Sequence, residues 1–149
     1  MKSLLVATAT VAGLLWSLPA AAQFAKPEDA IKYRQSAMAL QSNHLGRVFA
    51  MAQGRVPFDA KVASEQIEIV AMLNKMQFVA FVDGSDKGNT KAKAEIWTDK
   101  AKWSAAVAKS EDDIAKLVAA GKTGSLDAIK TAVGAVGASC KGCHDAFRN

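Results

Sequence analysis

From Leu126 to the end of the chain the apolar positions fall at Leu126, Ile129, Val133, Val136, Cys140, Cys143 and Phe147, in alternating steps of three and four with no slip. A strand repeats its faces every second residue and a helix about every 3.6, so this stretch can bury its stripe only as an amphipathic helix lying on other helices. The rest of the chain follows the same rule: alanine and lysine are abundant, and β-branched runs are short. A first helix opens at "KPEDAIKYRQSAM". Pro27 suits a first turn, Glu28 and Asp29 suit the positive end of the dipole, and Gly54 can end it. Its stripe is Ile31, Arg34, Met38, Leu45, Val48, Phe49 and Ala52, and an arginine among apolar residues is its anomaly.

A second helix is expected after Pro57, capped by Asp59, with Val62, Ile67, Ile69, Val70, Leu73 and Met76 inward. "DGSDKGNT" (83–90) is a loop by composition; Phe78 and Phe81 precede it and Trp97 follows. A third helix starts near Thr98 and carries Ala101, Val107, Ile114, Leu117 and Val118 towards Gly121. "GKTGS" is the next break, and Ser125 caps the last helix. Four amphipathic helices with short connections predict an all-α fold, an antiparallel up-down-up-down four-helix bundle, with no repeat or second domain.

"MKSLLVATATVAGLLWSLPAAA" lies outside that pattern. One early lysine, an apolar run and small residues at Ala20 and Ala22 read as a secretory signal, cleaved after residue 22. The run is too short and too soon polar for a membrane span, so no stable membrane insertion is expected once it is removed. Residues 23–149 then form the domain. Of 19 basic residues Lys2 leaves with the signal, so 18 face 14 acidic ones, a formal excess of four. Spread as single lysines without interleaved aromatics, this excess argues against nucleic acid and suits an acidic partner or plain solubility.

The chain closes with "ASCKGCHDAFRN". On a helix, residues three and four apart share a face, so Cys140, Cys143 and His144 project together into the bundle. Two thiols at this spacing can add to the two vinyl groups of a haem, and the adjacent histidine then supplies an axial nitrogen to the iron; C-x-x-C-H is the attachment signature for that reason. The rivals fit less well. A disulfide here would close a very small loop. A redox C-x-x-C sits at a helix start after a strand, where the dipole lowers a thiol pKa. Zinc would usually need four nitrogen or sulfur ligands, and His44 is the only other histidine.

With this motif at the extreme C-terminus of the last helix, the chain resembles the class II c-type cytochromes, and most of all the cytochrome c prime family. "KPEDAIKYRQSAM", "AFVDG" with the preceding Phe78, "AEIWTD" and "VGASCKGCHDAFR" look like family segments in family order across residues 23–149. The resemblance implies one covalent haem c per chain, on Cys140 and Cys143 with His144 as proximal ligand. It places Met38 on the distal side, where an apolar residue crowds the iron and leaves a high-spin, five-coordinate site for NO or CO. It assigns Arg34 to a haem propionate, with a snorkelling arginine as the alternative. It puts Arg148 on the proximal face, where it can also complement the helix C-terminus.

Phe78 and Phe81 read as pocket wall and Phe147 as packing behind the proximal side. Met72 and Met76 read as core, and His44 as exposed. Gly134, Gly137 and Gly142 mark close approach by a neighbour or the ring. The expected role is a periplasmic, non-enzymatic carrier of single electrons and diatomic gases. It would exchange electrons with an unidentified protein and pair as a homodimer through the first two helices. Two alternatives stay open: a low-spin carrier with Met38 as sixth ligand, since a thioether can bind iron, and a periplasmic thiol oxidoreductase.

Overall fold

The computed structural model describes residues 23–149, so the expected signal segment lies outside the described residues. Four long helices form: α1 (Pro27–Ala52), α2 (Ala60–Phe78), α4 (Lys100–Thr123) and α5 (Leu126–Phe147), with a single turn, α3 (Glu95–Thr98), before α4. Asp59, Asp99 and Ser125 cap α2, α4 and α5 by accepting from Val62 N (3.0 Å), Lys102 N (3.1 Å) and Ala128 N (3.3 Å). Each such cap contributes about 1 kcal/mol. Gly54 and Gly124, at φ +70° and +67°, take the left-handed conformation that ends α1 and α4.

Two boundaries differ from the sequence reading. The third long helix begins at Lys100, because Asp99 leaves helical geometry to cap it. It also runs through Gly121 to Thr123. Gly121 is a contact point inside the helix, where a Cβ would stand 3.0 Å from the Ile67 side chain.

The helices close a ring: α1 packs on α2, α2 on α4, α4 on α5 and α5 on α1. That is the antiparallel up-down-up-down bundle. Val48, Ile67, Val70, Leu117, Ile129, Val133 and Val136 are its fully buried centre, each contributing about 1.5–3 kcal/mol by leaving water. Val62, Met72 and Ala101, expected inside, are exposed. In α2 the core face runs Ala63, Gln66, Ile67, Val70, Leu73, Asn74 and Gln77, so Val62 and Met72 fall on a second apolar stripe. His44 is half-buried rather than exposed, its Nδ1 2.8 Å from Gln66 Oε1. Of the three glycines marked for close approach, Gly137 shows it, a Cβ there lying 3.0 Å from the Phe49 ring; among the described residues no atom crowds Gly134 or Gly142.

Polar groups inside the bundle were not foreseen. Asn74 Oδ1 accepts from Gln41 Nε2 (3.2 Å), Gln77 Nε2 (3.1 Å) and Ser110 Oγ (3.1 Å), which ties α1, α2 and α4 at one level. Asp113 is 2% exposed on α4 and pairs with Lys109 one turn back. The hydrogen bond from Lys109 holds its carboxyl below the usual range although desolvation pushes the other way. The ionised group therefore adds stability that is whole above its unfolded pKa, near 4, and is lost as pH falls through the folded value. Urea unfolding of Asp113→Asn is expected to show a loss of about 1–3 kcal/mol at pH 7 that shrinks at pH 3. An equal loss at both pH values would contradict the assignment.

Candidate functional site

The start of α1, the 79–99 connection, the start of α4 and the end of α5 all lie at one end of the bundle, since neighbours run antiparallel. There they enclose a cavity of about 340 Å³. Arg34, Met38, Phe81, Cys143, His144 and Arg148 all line it. α1 thus contributes the two residues singled out in its stripe, α5 contributes Cys143 and His144, and Arg148 follows just past the end of α5. Met38 is half-buried and faces the same cavity as His144.

Cys140 and Phe78 stand behind this wall. Cys140 packs against the hydrophobic core. Phe78 meets Trp103 edge-on at 5.9 Å, and Trp103 itself lines the cavity between Phe81 (4.7 Å) and Phe147 (5.2 Å). Trp103 was missed although its signal was present. Counting from it, Val107, Ser110, Ile114, Leu117 and Gly121 continue in steps of four and three, and starting the stripe at Ala101 hid this.

Arg34 is 2% exposed and meets no carboxylate among the described residues. Its Nη1 donates to Ala80 O (3.0 Å) and Ser85 Oγ (2.7 Å), and its Nη2 to Ser85 O (2.7 Å) and Thr90 Oγ1 (3.0 Å). The guanidinium also stands over the Phe81 ring at 4.6 Å. Burial pushes it below its ordinary pKa, but an arginine stays charged at any physiological pH. Arg34 is thus a cation held by neutral acceptors, and it pins the 80–90 loop to α1. Gln35 adds a bond to Asn89 O (2.9 Å).

On the other flank the chain end pairs with the same connection. Ala92 and Arg148 form an isolated antiparallel bridge, Lys93 N donates to Phe147 O (2.9 Å) and Asn149 N to Lys91 O (2.9 Å).

The motif side chains are in the right chemical state for attachment. Both thiols are free and half-buried. Burial, then the Asp113 charge, pushes the Cys140 thiol up; burial, then Cys140, pushes up that of Cys143. This is the reverse of the electropositive setting that activates a redox thiolate. Partial desolvation, then the Arg148 cation, pushes the His144 imidazole below its ordinary range, which favours the neutral form that binds a metal. Two protonated thiols, a neutral imidazole, an aromatic wall and the cations Arg34, Lys91 and Arg148 suit a flat apolar ring with anionic substituents and a central metal.

The family model described as cytochrome C' matches residues 29–148. Cytochrome c' of Rubrivivax gelatinosus is 56% identical over 127 residues, covering 85% of this chain and 98% of its own. Its crystal structure superposes with a TM-score of 0.84 at 55% identity, over 85% of this chain and all of that one. A ferrous, NO-bound variant of cytochrome c prime from Alcaligenes xylosoxidans superposes at 0.81 with 42% identity, over 85% and 98% of the two chains. A carbon monoxide-bound variant of that protein superposes at 0.81 with 43% identity, over 85% and 99%.

Proposed function

The chain belongs to the cytochrome c prime family and carries covalently attached haem c, and on that premise we propose that its iron is high-spin and five-coordinate and binds NO and CO. Cys140 and Cys143 would form the thioethers and His144 would bind the iron. When bound, the haem would supply a one-electron iron couple and an open coordination position for a diatomic molecule. The chain supplies everything that selects what reaches that position. The observation that carries the reading is that Met38 and His144, on two different helices, face one cavity walled by Phe81, Trp103 and Phe147. A mostly apolar wall favours small neutral ligands over charged ones. Gas binding is supported by the NO- and CO-bound structures of the Alcaligenes protein.

Arg34 and Arg148 place cations beside the ring's carboxylates. With the four Nη hydrogens of Arg34 engaged in the loop, a bond to a propionate falls to its Nε–H or to an exchange of one of these partners. Phe81 is wall and Phe78 backs it through Trp103.

A second reading is a low-spin electron carrier, favoured by one fact: the residue facing the cavity from α1 carries a thioether, a competent iron ligand. The ferrous absorption spectrum of wild type and Met38→Leu separates the two. A broad spectrum that shifts with CO and is nearly the same in both proteins is expected. Sharp, split α and β bands in wild type that vanish in the variant would establish methionine ligation.

The signal-like segment and the haem type support export to the periplasm, and electrons pass to and from a partner protein without substrate turnover. Among the described residues no helix is long and apolar enough to cross a membrane. The outer face of the first two helices suits a second copy of this chain. Leu40 on α1 and Val62 and Met72 on α2 are exposed, Met72 by 56%, and the stripe continues to Val79. Sedimentation equilibrium of the purified protein is expected to return twice the chain mass; the mass of one chain at every concentration would rule the pairing out.

A further inference from the structure

An α-helix leaves its last four carbonyls without partners inside the helix. In α5 those are the carbonyls of His144, Asp145, Ala146 and Phe147, the turn that holds the axial histidine. Arg148 N takes the first (3.0 Å). A single residue from outside the helix takes the other three. Lys93 donates its Nζ to Asp145 O (3.1 Å) and Ala146 O (3.4 Å) and its backbone N to Phe147 O (2.9 Å). Among the described lysines Lys93 alone is not exposed, which is what a lysine committed to such a cap looks like. The helix itself offers no cation for this purpose, its last turn holding only His144 as a basic residue. The negative end of the α5 dipole, beside the imidazole, is therefore met by Lys93 from the connection before α4 as well as by Arg148 just past the helix end.

We propose that Lys93 is a positioning residue for the axial ligand. It locks the final turn of α5, so that the His144 ring is presented in one orientation, and it places a fixed positive charge against the carbonyls next to that ring. This rests on the haem reading above and adds a residue to its proximal side that neither motif nor stripe points to. A cation near the iron favours the reduced, less positive state, and an uncapped helix end disfavours it. Removing Lys93 therefore acts in one direction, towards a lower midpoint potential, and also loosens the imidazole.

The test uses haem-loaded protein from a host able to attach haem, with the intact mass measured first. Lys93→Met keeps the aliphatic stem and removes the charge and the donors; Lys93→Arg restores both; Lys87→Met removes an exposed lysine from the same connection. Lys93→Met is expected to shift or broaden the ferrous iron–histidine vibrational band and to lower the midpoint potential. Lys93→Arg and Lys87→Met are expected to keep both at wild type. An unmoved band and potential in Lys93→Met overturn the proposal, and so does an equal fall in Lys87→Met. Should Lys93→Met not accumulate, Lys93→Gln, with an amide donor and no charge, is read by the same two measurements and the same rule. A wild-type mass without haem would sink the haem reading instead, so the two failures are told apart.

Discussion

Purified Cys140→Ala/Cys143→Ala protein is expected to have the mass of the processed polypeptide alone, and its denaturing gel band is expected not to stain for haem. The reason lies in the helix rather than in the motif as a string. Cys140 and Cys143 are one turn apart on the inward stripe of α5, both thiols are free, and burial keeps them protonated. They are thus not tuned for redox exchange. Either single variant keeps one sulfur and is expected to retain haem by one bond. Covalent haem surviving the loss of both thiols would remove the basis of every site assignment made above.

Arg34→Ala is expected to cost more than about 3 kcal/mol of stability by urea unfolding, because it orphans several buried acceptors at about 1–3 kcal/mol each. Ala80 O, Ser85 O and Ser85 Oγ lose donors at once, and Ser85 is fully buried. Arg34→Lys is expected to recover part of the loss only, since one ammonium cannot reproduce four bonds arranged by a planar fork. Amide exchange is expected to speed up in residues 80–90 before the helices. A loss below about 1 kcal/mol in Arg34→Ala would show that the loop is held by something else.

The stripes and caps were legible because they are local. Steps of three and four placed α5 and its start, and Asp59 and Ser125 cap where they were expected to. The misplaced residues share a cause. Val62 and Met72 are as apolar as Ile67 and Leu73, and hydrophobicity cannot say which of two stripes on α2 meets the bundle. Gly121 reads as a stop, yet it lies where α4 crosses Ile67 and a Cβ would crowd that side chain at 3.0 Å. Arg34 stood out in its stripe, but its partners Ser85 and Thr90 lie more than fifty residues away in a loop with no periodicity.

Local order in this chain, and with it the haem-binding chemistry of the C-terminal motif, follows from spacing along the sequence, because a helix turns a repeat into a face without reference to anything distant. What surrounds that face depends on which segments fold back against it. The neutral cradle of Arg34, the tryptophan behind Phe81 and the lysine that closes the end of α5 are meetings between residues far apart in the chain. Their positions depend on how far each helix runs and where each connection returns, and no pattern of neighbouring residues records that.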